Sequence, residues 1–317
     1  MKRATRLESG GHERRIAAAR SHPTALPATM IAALRVASRA ALDQIIRHRA
    51  RIAVADPEAL HQVRVGFRHL DAAIRFFAAG IPKSDRASLA RELKWFGRRL
   101  SRAREIDVFL EDVISGPRDK RTGPDIDTLE RLCRQEQKRE YARIRAVLAS
   151  SRLQDFIAAS EECLIDGKNL LFRSQAYSCQ AVAGLMKMKR KLQKGRRVDA
   201  LRHHDLHKFR LRVKRMRYAI GFVAPLLDRR NSKLARRMSE LLRGLQNELG
   251  AVTDQKAHRD FFRKLRACSS SRFAGGDGKI DWRNVRRALF ASRRKANEAS
   301  LKRAKKIYRE FEEIELS

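Results

Sequence analysis

At 317 residues and 43% hydrophobic content, the chain holds one large domain or two smaller ones and enough apolar mass to pack a core, which excludes a disordered basic tail. Its 72 Lys and Arg stand against 36 Asp and Glu, a net charge of +36. Self-repulsion at that level calls for a polyanionic partner, and nucleic acid, an anionic membrane surface and an inorganic polyanion all meet it.

In chain order, residues 1–27 are polar and basic and are broken by Gly10, Gly11, Pro23 and Pro27; they read as a mobile arm. Ala28 to about Ile52 has helical spacing at Met30, Leu34, Ala37, Ala41 and Ile45. Asp56-Pro57 is an N-cap followed by proline at the first helical position, so a second helix starts there and ends near Gly80. Pro82 and Ser84 open a third helix that runs through Leu93, Phe96 and Leu100 to about Ile114. Gly116-Pro117 and Gly123-Pro124 mark a loop, followed by a helix from Asp125 to about Ser150 and a shorter one from Leu153 to Leu164. The second half repeats this plan, with helices from about Leu170 to Gln193, Asp199 to Leu227 and Asn231 to Leu265. A small-residue loop, Ser269 to Gly278, precedes a final helix from Trp282 to about Glu313. No stretch alternates with period two for long enough to make a sheet. The reading is all-α: two antiparallel four-helix bundles, about 28–167 and 168–317.

Cys133, Cys163, Cys179 and Cys268 show no CxxC pair and no zinc spacing, and read as reduced residues of a cytosolic protein. The opening MKRATRLESGGHERR has no apolar h-region, and no run approaches about 18 apolar residues. The expectation is therefore a cytoplasmic chain with neither a secretion signal nor a membrane span.

The stretch from His207 to Tyr218, HKFRLRVKRMRY, carries the densest chemistry. On a helix, His207, Arg210, Lys214 and Arg217 share one face, while Leu206, Phe209, Val213, Met216 and Ile220 share another and are candidate core. The pattern occurs earlier as HQVRVGFRHLDAAIRFF, where His61, Arg64, Arg68 and Arg75 share a face. His61, Arg64 and Arg68 align with His207, Arg210 and Lys214 at an offset of 146 residues, the separation expected of a duplicated unit. The third helix of each half adds a row: Arg91, Lys94, Arg98 and Arg102 in the first, Arg236 and Arg243 in the second. If these helices pack as bundles, the rows of the second and third helices line one groove. An arginine fork holds two phosphate oxygens at once, so such rows suit a ligand with regularly spaced anionic oxygens. A charge stripe on a helix is most often a solvated face. Here acidic partners at i+4 are scarce and the stripe occurs twice, which favours an anion site.

The two histidines have three open roles, in order of preference: hydrogen-bond donor to phosphate, metal ligand and phosphoryl acceptor. No carboxylate-rich cluster, Ser/Cys nucleophile motif or Walker loop accompanies them. His203 and His204 beside His207 leave a metal reading open, but the first half has no equivalent. Asp107 and Asp254 close two similar segments, LSRAREIDVF and LGAVTD, and read as capping or ion-pairing acids.

Four segments in order resemble the CHAD family, the conserved histidine alpha-helical domain: HQVRVGFRHLDAAIRFF, WFGRRLSRAREIDVFLEDV, LHKFRLRVKRMRYAIGF and LLRGLQNELGAVTDQKAH. The resemblance implies a single CHAD domain over residues 28–317, with two bundles related by internal pseudo-twofold symmetry around a basic cavity. It implies binding of inorganic polyphosphate and residence on polyphosphate granules. The motif positions it carries over are His61, Arg64 and Arg68, then His207, Arg210, Lys214, Arg215, Arg217 and Tyr218. His69 and Asp71 depart from the pattern, standing where the second half has Arg215 and Arg217, and Ser101 replaces the glycine seen as Gly250. These changes make the first half less basic near its motif, so the second is expected to dominate affinity.

The sequence-level expectation is a non-enzymatic polyphosphate binder with no metal or cofactor, no membrane partner and weak, non-specific nucleic-acid binding. A nucleoid-type nucleic-acid binder is the alternative. Against it, aromatic residues are only 6% and do not interleave with the basic rows as a single-strand stacking platform does. An enzyme using His61 or His207 as phosphoryl acceptor lacks a nucleotide motif and a carboxylate set for magnesium.

Overall fold

The computed structural model of the protein describes residues 29–115, 123–167, 169–172, 177–194, 203–272, 280–290 and 294–316. The expected arm over 1–27, the Gly116-Pro117 turn, most of the Ser269–Gly278 loop and the boundary at residue 168 lie outside them, as do the side chains of His203, His204 and Cys268. Among the described residues the structure is all-helical, with no strand.

Helix α1 spans Met30–Arg49; the Thr29 hydroxyl caps it by accepting from the Ala32 amide at 3.0 Å. A short 3-10 turn, Ala50–Val54, leads to Ala55 in left-handed geometry (φ 54°). Helix α2, Pro57–Phe76, begins as the sequence dictates, with the Asp56 carboxylate accepting from the amides of Glu58 and Ala59 at 2.9 and 3.1 Å and Pro57 in the first turn. Gly66 lets α1 and α2 pack closely: a Cβ there would sit 2.7 Å from Ile45 Cγ1 and 2.8 Å from the Ala41 carbonyl.

The third helix of the sequence reading is broken. Helix α3 spans Lys83–Arg99, Leu100 interrupts it, and α4 spans Ser101–Phe109 before a π turn at Leu110–Ile114. Helix α5 spans Gly123–Ala149, so Gly123-Pro124 is its first turn rather than loop; proline has no amide to lose there. Helix α6 covers Ser151–Glu161 and ends in a second π turn, Glu162–Asp166.

In the second half, α7 spans Tyr177–Gln193, α8 His203–Val223 and α9 Arg229–Arg272. Of the expected final helix, the described residues form α10, Trp282–Phe290, and α11, Arg294–Glu312. Helix α9 packs along both α8 and α11, and the two halves meet where α1 and α2 contact α8.

The larger core is continuous from Met30 to Leu316, passing through Leu34, Leu70, Phe96, Val213 and Phe311. A smaller core joins α4, α5, the far end of α9 and α10 through Ile106, Phe109, Cys133, Phe261, Val285 and Phe290. Together they hold α2, α4 and α8 rigidly around the charges described next.

Candidate anion-binding site

Helix α2 turns Leu60, Val63, Phe67 and Leu70 into the core, and α8 does the same with Leu206, Phe209, Val213 and Met216. The motif cations are left on the remaining faces. Since α2 packs against α8, the two motifs come together although they lie 146 positions apart in sequence.

His61 sits half-buried in this group. Burial first, then the charges of Arg104, Arg68, Lys214 and Arg64, push its pKa down to about 3, so the imidazole is neutral at neutral pH. Arg64 is pushed down to about 10 by burial and by Arg68 and Arg104. Its Nη1 donates to the Gly97 carbonyl at 3.5 Å and to Ser101 Oγ at 3.4 Å. Arg68 donates through Nε to the Arg64 carbonyl at 3.2 Å; burial, with Arg210, Arg104 and Arg217 nearby, lowers its pKa.

From the other half, burial and the charges of Arg210, Arg68 and Arg217, opposed by Asp254, bring Lys214 down to about 7. Arg210 is clamped: its two Nη atoms donate to the two Asp254 carboxylate oxygens at 3.1 Å each, while its buried Nε has no hydrogen-bond partner. Gly250 permits this approach, because a Cβ there would meet Arg210 Nη2 at 3.0 Å. Four helices thus converge on one basic cluster: α2, α4, α8 and α9.

The model for the CHAD domain matches residues 36–263 of this chain. The chain belongs to the CHAD domain family. Its fold is similar to the crystal structure of the CHAD domain from the plant Ricinus communis, at TM-score 0.71 and 24% identity over 90% of this chain and 95% of that one. It is also similar to PptA from Streptomyces chartreusis, at TM-score 0.61 and 17% identity over 88% of this chain and 99% of that one. No curated protein matches this chain.

In this CHAD domain the expected cations separate into three groups. Arg64, Arg68, Lys214 and Arg217 join His61 and Arg210 in the cluster. Arg75 and Lys94 line a cleft of about 410 Å3 between α2 and α3, whose wall also includes Arg64 and Arg68. Arg75 is paired with Asp71 at 2.9 Å, and Arg215 lies 3.8 Å from the same carboxylate. Tyr218 packs edge-on against His69, ring centroids 4.2 Å apart, and under the Arg217 guanidinium at 5.4 Å. Burial, with Arg68 and Arg217, pushes His69 down to about 4.

The third group lies elsewhere. Arg102 turns away toward the smaller core, its guanidinium 4.9 Å from the Phe261 ring. Arg91, Arg98, Arg236 and Arg243 are exposed, and the charges that act most strongly on His61 and Lys214 do not include them. His207 is exposed, unlike half-buried His61, although each is the fifth residue of its helix.

Arg104 is the residue that sequence reasoning missed. Lys94, Gly97, Ser101 and Arg104 fall at i, i+3, i+7 and i+10, a helix face that continues through Leu100, and it is this face rather than the row Arg91, Lys94, Arg98, Arg102 that carries Arg104 to the cluster. Ser101, three residues earlier and bonded to Arg64, marks the same face. Asp107 and Asp254 are not equivalents either. Asp107 is buried, accepts from Gln137 at 2.7 Å and Tyr141 at 2.9 Å, and has its pKa raised by that burial.

No group of three or more His, Cys, Asp or Glu that could hold a metal ion occurs among the described residues. No described helix is long and apolar enough to cross a membrane.

Proposed function

We propose that this CHAD domain binds inorganic polyphosphate at the cluster where α2, α4 and α8 converge, without a catalytic step, and resides on polyphosphate granules in the cytoplasm. The single observation that carries this reading is the crowding of cations around His61 and Lys214. Arg64, Arg68, Arg104 and Arg210 lie close enough to act on one another or their neighbours, opposed by Asp254 at Lys214 and more weakly by Glu105 and Asp107 at Arg64.

Two like charges at 4 Å repel by about 4 kcal/mol at an effective dielectric of 20. A phosphate chain entering the cluster turns that repulsion into attraction, and its repeating oxygens meet arginine forks contributed by both halves. Neutral His61 can donate one hydrogen bond to a phosphate oxygen, and proximity of that oxygen raises its pKa back toward the ordinary range. The duplicated motifs thus act as two jaws around one ligand, the role we assign to their pseudo-symmetric arrangement.

The test is long-chain polyphosphate binding by the wild type and by the triple reversal Arg210→Glu, Lys214→Glu, Arg217→Glu, each checked for helicity by circular dichroism. We expect the triple variant to keep its helicity and lose about 100-fold or more in affinity. Unchanged affinity in a folded triple variant defeats the site assignment.

A further inference from the structure

The cleft between α2 and α3 has a property that an inorganic chain does not use. Its rim carries Arg64, Arg68, Arg75 and Lys94, but its lining is mostly apolar, built from Phe67, Ala90, Leu93 and Leu100. Its volume of about 410 Å3 falls in the range of small-molecule sites, about 300–1,000 Å3. Gly97 lines it, and a Cβ at that position would face open space, with nothing within 4 Å.

Arg64 and Arg68 belong to both places. They wall the cleft, and they also act on His61 in the central cluster. A ligand with an apolar end in the cleft therefore has its anionic end directed to the cluster by the same two residues.

The polar atoms of the wall are acceptors as well as cations. Both Asp71 carboxylate oxygens accept from Arg75 Nε at 2.9 Å, and the carboxylate retains acceptor capacity. A fatty chain offers nothing to such acceptors. A heterocycle with amine and hydroxyl donors does, and its flat face also suits a guanidinium plane such as that of Arg68 or Arg75.

We propose that this cleft seats the base and sugar of a nucleoside polyphosphate whose phosphates run past Arg64 and Arg68 into the central cluster. The phosphate end rests on the polyphosphate reading; the apolar end rests on the cleft alone.

The test is calorimetric titration of the full chain with ATP and with inorganic tripolyphosphate, free of magnesium and at one fixed salt concentration. Bulk charge favours tripolyphosphate, the more highly charged anion with the same number of phosphates. We expect ATP to bind at least about fivefold tighter, a difference of about 1 kcal/mol. Filling the cleft with Ala90→Phe should erase that advantage while leaving tripolyphosphate affinity within about twofold. Ala90→Leu, a smaller filler and a good helix former at this half-buried position, should erase part of it and guards against misfolding. ATP binding no tighter than tripolyphosphate, or an ATP advantage untouched by both fillers, overturns the cleft assignment and leaves the polyphosphate reading intact. Failure of both anions to bind overturns the cleft assignment, and the polyphosphate reading falls with it only if long-chain polyphosphate fails to bind as well.

Discussion

The two halves present the same motif in different electrostatic settings. In the second half, Arg210 is held at both Nη atoms by Asp254, so much of its charge is spoken for before any ligand arrives. In the first half, Arg64 donates to a serine hydroxyl and a backbone carbonyl, and Glu105 and Asp107 act on it through their charge, less strongly than Arg68 and Arg104 do. With Leu100 set against Leu249, Ser101 falls opposite Gly250 and Arg104 opposite Thr253. Thr253 is buried and donates to the Leu249 carbonyl at 2.9 Å, whereas Arg104 adds a full charge beside His61. The two matching motifs thus differ: the first gathers excess charge, and in the second the central arginine is clamped. The sequence-based expectation that the second half dominates affinity, drawn from His69 and Asp71, left Arg104 and the Arg210–Asp254 pair out of the balance.

The most damaging way to break this comparison is charge reversal in each jaw separately. Arg64→Glu, Arg68→Glu, Arg104→Glu should cost more polyphosphate affinity than the matching reversal at Arg210, Lys214 and Arg217, by roughly tenfold, since it removes the less compensated charges. Fluorescence titration of both variants at one salt concentration checks it, and equal losses would put the two jaws on the same footing.

Next in size is the response to pH. Lys214 has a pKa of about 7 in the free protein because burial and its arginine neighbours disfavour the ammonium. A bound polyanion favours it, so binding takes up a proton above pH 7, and affinity should fall by up to about tenfold per pH unit as pH rises from 7 toward 9. The free protein should respond in the opposite sense. Its unfolded state keeps the proton to about pH 10.4 while the folded state loses it near 7. Stability from Lys214 therefore rises between those values, at no more than about 1.4 kcal/mol per pH unit. Lys214→Met should flatten the binding profile, while urea melts across the pH series check the stability sign.

A smaller effect sharpens the clamp. Asp254→Asn should free Arg210 for phosphate and raise affinity by about three- to tenfold; the carboxylate is partly exposed, so the loss in stability should be at most about 1 kcal/mol. Lowered affinity would mean that Asp254 orients Arg210 for the ligand rather than withholding it. Smallest of all, Gly250→Ser copies the first half. The nearest atom to the new Cβ is the tip of the Arg210 side chain, so calorimetric melts should show a change within about 0.5 kcal/mol.

Much of this was legible in the residues. Asp56-Pro57, the apolar stripes of α2 and α8, and the 146-residue offset announced the helices and brought His61, Arg64, Arg68 and Lys214 to notice. What could not be read was which face meets the ligand site and pairing across distance. Nothing local in LKWFGRRLSRAREID says whether the row through Arg98 and Arg102 or the face of Lys94, Ser101 and Arg104 turns to the other half. The Arg210–Asp254 pair depends on where two helices cross, 44 positions apart in sequence. His207 follows the motif but is exposed, so equivalence in sequence did not carry equivalence in burial.

The measurement that bears most directly on the central claim is competition between long-chain polyphosphate and duplex DNA on the purified protein. It should be run across a salt series at matched phosphate concentration, because counterion release weakens both complexes as salt rises. A cluster that grips its ligand between two jaws predicts polyphosphate still bound at salt where DNA has dissociated. Dissociation of both at the same salt would reduce the interaction to the net charge of +36 and contradict a dedicated site.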